Sequence, residues 1–100
     1  MKRRKLADSE IPALLAELPG WTLQAGQLHR ELRFSGFADA FAFMSAMALH
    51  SEALNHHPEW RNVYDRVVID LHTHDAGGIT ELDFEWARRA QAAAARLAVG

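Results

Sequence analysis

Apolar positions follow two rhythms along this chain, and each switch between them marks an element. From Glu10 to Leu18 the apolar residues Ile11, Leu14, Leu15 and Leu18 fall on one helix face. Asp8 and Ser9 are good N-caps for such a helix, Pro12 is tolerated in its first turn, and Pro19-Gly20 stops it. Trp21 to Gln24 then predicts a short strand, Ala25-Gly26 a turn, and Leu28 to Phe34 the returning strand. In that second strand Leu28, Arg30, Leu32 and Phe34 share a face, with Arg30 as the misfit among apolar neighbours. After a break at Ser35-Gly36 the helical rhythm returns from Phe37 to Asn55. Phe37, Phe41, Phe43, Met44, Met47 and Leu54 spread over a wide arc, which predicts burial on two sides: against the sheet and against another subunit.

The second half repeats the scheme. Glu59 to Tyr64 and Arg66 to Thr73 read as strands around a turn at Asp65. Val67, Ile69 and Leu71 alternate with Val68, Asp70 and His72, the pattern of a half-buried strand. His74 ends it, ahead of an Ala76-Gly77-Gly78 turn. Thr80 is placed as an N-cap with Asp83 three residues on, an acidic capping box, and Ile79 and Phe84 are placed as a hydrophobic staple. A last helix is expected from Glu81 to about Ala98. The order α-β-β-α-β-β-α, with paired strands and short turns, predicts an α+β fold: a four-stranded antiparallel sheet with three helices packed on one face.

Length and composition narrow the possibilities. One hundred residues make a single domain, 1–100, with the basic stretch 1–7 read as a flexible tail. A formal net charge of −2 gives no reason to expect direct nucleic-acid binding. Without cysteine there is no disulfide or thiolate chemistry, which fits a reducing compartment. No apolar run reaches membrane-spanning length, and Asp8, Ser9 and Glu10 interrupt what would otherwise be a leader's apolar region.

Three of six histidines stand at element ends: His56 and His57 before Pro58, and His74 before the Gly-Gly turn. The residue preceding a proline is driven to extended backbone, so the two adjacent imidazoles should leave the chain in different directions. Histidine exchanges protons most readily near neutral pH, which makes this an acid–base constellation. Glu52, one turn before His56, is placed to pair with it and hold its tautomer. Zinc is the competing use of histidines with a glutamate, but adjacent histidines rarely converge on one ion and no His-x-x-x-His pair accompanies them. His29, His50 and His72 show no partner pattern and read as surface or helix-face residues. Trp60 offers a flat wall for a ring-shaped ligand, although a strand tryptophan is more often core.

These residues resemble the pterin-4a-carbinolamine dehydratase family. The resemblance spans nearly the whole chain: Leu18-Pro19-Gly20-Trp21, Phe34 to Phe41, Glu52 with His56-His57-Pro58, Trp60, Asn62-Val63-Tyr64, and Thr73-His74-Asp75-Ala76-Gly77-Gly78-Ile79-Thr80. It implies dehydration of 4a-hydroxytetrahydropterin to quinonoid dihydropterin in tetrahydrobiopterin recycling, in the cytoplasm, with no metal and no bound cofactor. It implies catalytic roles for His56, His57 and His74, with Glu52, Pro58, Trp60, Thr73 and Asp75 as substrate-binding or supporting residues. It also implies a homodimer or homotetramer through the Phe37–Asn55 helix. Two positions depart from the family pattern: Asn55 stands where an acid is frequent, and Leu82 where many members carry arginine. Two other readings compete. One is a dimerisation or coactivator module with little activity, using the long helix. The other is a metal-dependent hydrolase.

Overall fold

The computed structural model describes residues 3–97. A 3-10 turn at Asp8–Glu10 leads into α1 (Ile11–Leu15). The strands are β1 (Thr22–Gln24), β2 (Gln27–Arg33), β3 (Glu59–Val63) and β4 (Arg66–Leu71). The long helix α2 (Phe37–Leu54) sits between the two hairpins, and α3 (Glu81–Ala94) closes the fold. All four strands are antiparallel in the order β1-β2-β4-β3, with the helices on one face, as the patterning predicts.

The period-two pattern divides the sheet cleanly. Leu28 and Leu32 of β2 and Val67, Ile69 and Leu71 of β4 are buried, and with Phe34 they meet Phe43 and Met47 of α2 and Phe84, Trp86, Ala87 and Ala90 of α3 in one core. The other face carries polar groups. One row runs His29, Asp70, Glu59 across β2, β4 and β3, and a second runs Glu31, Val68, Arg61. The misfit Arg30 lies on the core side and reaches sideways, its Nη1 donating to the Pro19 carbonyl at 2.9 Å. Burial pulls its pKa below the ordinary guanidinium value. Gly20 is needed beneath it: its φ is +88°, and a Cβ there would lie 1.0 Å from Arg30 Nη1.

Helix α2 buries Ala40, Phe43, Met47 and Ser51, a stripe of residues three or four apart. Ser51 is satisfied inside the core, donating to the Met47 carbonyl at 2.7 Å and accepting from Trp86 Nε1 at 2.9 Å. Phe37, Phe41 and Leu49 stay outside, at 51%, 56% and 74% exposure. The helix ends where Asn55 turns left-handed (φ 50°) and His56 N–H bonds the Ser51 carbonyl at 3.0 Å. After glycine, asparagine is the residue best suited to that turn, which gives the Asn55 departure a conformational reason.

Three expectations need correction. The first helix is shorter than Glu10–Leu18, because Asp8–Glu10 forms a 3-10 turn ahead of it and the chain already turns after Leu15 to bring Leu18 into the core. The last helix stops at Ala94, and Ala98 lies outside the described residues. The supposed tail is docked from Arg3 onward. Leu6 is buried and its N–H bonds the Ile79 carbonyl at 2.8 Å. Arg3 Nη2 donates to the Asn55 carbonyl at 2.8 Å, and its Nη1 lies 3.7 Å from Asp75. Residues 1 and 2 lie outside the described residues. Among the described residues no helix is long and apolar enough to cross a membrane.

Candidate active site

The corner after α2 sends its two histidines apart. His56 turns inward and is 6% exposed, while the side chain of His57 is 56% exposed. Inside, His56 Nε2 meets Asp83 Oδ1 at 2.6 Å. Asp83 is fully buried, and its Oδ2 accepts from the Thr73 hydroxyl at 2.9 Å and from the Thr80 N–H at 2.8 Å. Thr73 therefore donates to Asp83, which makes Thr80 the donor in the 2.7 Å hydroxyl pair between the threonines. Thr80 in turn accepts from Leu82 N–H at 3.2 Å, closing the capping box expected at the start of α3. One buried carboxylate thus ties the end of α2, the end of β4 and the start of α3 together. As the acceptor throughout, it places the His56 proton on Nε2.

Outside, His57 Nε2 pairs with Glu52 Oε2 at 2.5 Å. The expected Glu52–His56 pair is not formed, because the left-handed Asn55 swings His56 inward and brings His57 over the last turn of α2. His74 sits in a 3-10 turn, His74–Ala76, that closes at Gly77 with φ 74°. It is exposed, and its ring lies 6.1 Å from that of His72, edge-on at 70°. His57, His74 and His72 line one pocket of about 230 Å³ with Glu59 and Asp70. A second depression of about 200 Å³ shares Glu59 and Asp70 and continues over Trp60, Arg61 and Val68.

The structure thus brings His57 and His74, from different segments, into one pocket and keeps His56 behind it. Thr73 lies wholly inside and belongs to the Asp83 network. Asp75 faces Arg3, and Pro58 is the corner itself. Trp60 packs edge-on against Trp86, with centroids 5.9 Å apart, and borders the second depression. Leu82 is buried in the first turn of α3. Among the described residues no three His, Asp or Glu side chains converge in a metal-holding arrangement.

Sequence reasoning overlooked several groups. His72 is a pocket residue, and His29 holds Asp70, with Nδ1 2.7 Å from Oδ1. His50 lies 3.3 Å from Arg89 Nη1. The alternation that put Val68, Asp70 and His72 on one face was the available signal for Asp70 and His72. Asp83 was legible only as a cap. Its second task depends on a contact 27 positions away in the chain.

Fold and pocket together define a small α+β domain with a pocket lined by three histidines and two carboxylates. A family profile described as pterin 4 alpha carbinolamine dehydratase matches residues 4–93. A protein of Solibacter usitatus, provisionally named as a pterin-4-alpha-carbinolamine dehydratase, is 56% identical over 91 residues, 91% of this chain and 96% of that protein. A Rhizobium etli protein with the same provisional name is 51% identical, over 96% of this chain and 97% of its own. Among solved structures, a transcriptional coactivator/pterin dehydratase from Brucella melitensis superposes with a TM-score of 0.88 at 43% identity, covering 91% of this chain and 99% of that one. A pterin dehydratase-like protein identified as a RuBisCO assembly factor in the alpha-carboxysome superposes at 0.65 with 28% identity, covering 75% and 89%. The chain belongs to the pterin 4 alpha carbinolamine dehydratase family.

Proposed function

We propose that this protein dehydrates 4a-hydroxytetrahydropterin to quinonoid dihydropterin and water, by histidine acid–base catalysis and without a cofactor. The observation that carries the reading is the pocket in which His57 and His74 meet. The reaction removes a hydroxyl from C4a and a proton from a ring N–H. One imidazolium gives the proton that leaves with the hydroxyl as water, and one neutral imidazole takes the ring proton. Two histidines from separate segments can stand on two sides of a flat ring and do both. Glu52 fixes the orientation of the His57 ring through Nε2, and of His57 and His74 one serves as the acid and the other as the base. His56 acts from behind, holding the corner through Asp83. Recycling of a tetrahydropterin cofactor in the cytoplasm is the setting this activity fits.

The test is turnover of freshly formed carbinolamine by purified protein that has been exhaustively chelated. Acceleration above the spontaneous rate is expected. Activity lost on chelation and restored by zinc would instead favour a metal-dependent hydrolase.

A second reading rests on a different observation. Phe37 and Phe41, with ring centroids 5.7 Å apart, and Leu49 form an uncovered apolar face on α2. We propose that this face joins copies of the chain into a homodimer or homotetramer. The alternative use of the same helix is as a dimerisation or coactivator module; the Brucella relative is named as a transcriptional coactivator as well as a pterin dehydratase. Light scattering at micromolar concentration should give a multiple of 11.2 kDa, and Phe41→Arg should return it to the monomer mass.

A further inference from the structure

We propose that Asp70 is a substrate-binding residue that accepts the amidine-like edge of the pterin ring, the 2-amino group and the neighbouring N3–H, and that His29 positions it. The proposal rests on the dehydratase reading of the pocket and deepens it. Asp70 lines both the histidine pocket and the depression that adjoins it, so it stands where a ring reaching past His57 and His74 would end. Its Oδ1 is held by His29 Nδ1 at 2.7 Å, and its side chain is only 34% exposed. Among the described residues, Oδ2 accepts no hydrogen bond.

The residue opposite Asp70 in register on β3 is Glu59, another carboxylate. Like charges directly opposite each other on a sheet face are destabilising, and no arginine or lysine pairs with either one among the described residues. A pair of acceptors kept at such a cost in a pocket suits a ligand edge rich in donors. Two parallel N–H groups match one carboxylate in the bidentate way a guanidinium does. Aspartate is short, so Asp70 holds its place only if something fixes its torsion, and His29 does so from the neighbouring strand. None of the acid–base chemistry passes through either residue. Their contribution is to orientation, which sets which ring atoms meet His57 and His74.

The test measures calorimetric binding of 7,8-dihydropterin and of its analogue lacking the 2-amino group, for wild type, Asp70→Asn, His29→Ala and His29→Asn. Wild type should prefer dihydropterin by about tenfold or more, a margin of the size one charge-assisted pair supplies. In Asp70→Asn the preference should fall to within about twofold, with KM raised and kcat little changed. His29→Ala should lose part of the preference, and His29→Asn, whose amide can donate in place of Nδ1, should restore it. Because each preference is a ratio taken within one protein, a change in stability does not mimic the effect. An undiminished preference in Asp70→Asn, beside an active wild type, overturns the role of Asp70 alone. A wild type that neither binds dihydropterin nor turns over the carbinolamine overturns the dehydratase reading and this inference with it.

Discussion

His56 and His57 are neighbours in the chain, and each pairs with a carboxylate, yet their surroundings are opposite. The inner pair, His56 with Asp83, is sealed among Thr73 and Thr80, and both Asp83 oxygens, both threonine hydroxyls and His56 Nε2 are hydrogen-bonded. The outer pair, His57 with Glu52, stands in solvent at the mouth of a pocket. In water, an ion pair contributes little to stability. In the interior, removing one member leaves the others unsatisfied at large cost. Two similar dyads are thus placed for different work: the inner one ties three segments together, and the outer one stands open to solvent and to the pocket.

The sharpest way to break that contrast is at the buried carboxylate. Asp83→Ala strands His56 Nε2, the Thr73 hydroxyl and the Thr80 N–H together. It should cost about 3–5 kcal/mol. Thermal denaturation should show a melting temperature lower by more than about 10 °C, with activity falling alongside it. An unchanged melting curve would mean that the knot holds nothing.

The outer dyad should behave the other way. His57→Ala and His74→Ala should each lose about 10²–10⁴-fold in dehydration rate, with melting temperatures near wild type. The double variant should fall less than the product of the two single losses, because both groups act on one transition state. A fully active His74→Ala protein would remove His74 from the mechanism.

A milder change sharpens the comparison further. Glu52→Gln keeps the shape of the outer pair and removes its charge, and should cost about tenfold or less in rate, with no loss of stability. A large loss of stability would show the outer pair to be structural after all.

The smallest effect belongs to an ordinary surface pair. Arg89, hydrogen-bonded to Glu85 at 2.9 Å, holds the Glu85 carboxyl below its usual 4.5. The stability this gives is present above that value and is lost as pH falls through the lower, folded-state pKa. Glu85→Gln should cost about 0.5 kcal/mol at neutral pH in a denaturant titration and nothing in activity.

The elements were largely readable in advance because each rests on a local rule. Alternation announced β2 and β4, Pro19-Gly20 and Ser35-Gly36 announced breaks, and Thr80 with Asp83 announced the start of α3. The site was readable in its histidines and not in its wiring. Glu52 was paired with the wrong neighbour because helical spacing ignores what a single left-handed residue does to the next two side chains. His29 and His72 looked idle because their company is set by strand register, which joins positions 41 residues apart in the case of His29 and Asp70. Leu6 looked like tail because one leucine in a basic stretch carries no period at all.

The tryptophans give this protein its own optical probe. Of the three, Trp21 and Trp86 are buried at 4% and 0%, while Trp60 is half-buried and borders the depression beside the histidine pocket. Intrinsic emission should therefore divide into a blue, shielded share and one solvent-sensitive share. A flat heterocycle settling over Asp70 would quench the second share directly. Because Trp60 meets Trp86 edge-on at 5.9 Å, excitation would also pass between the two rings, and the buried indole would dim in step.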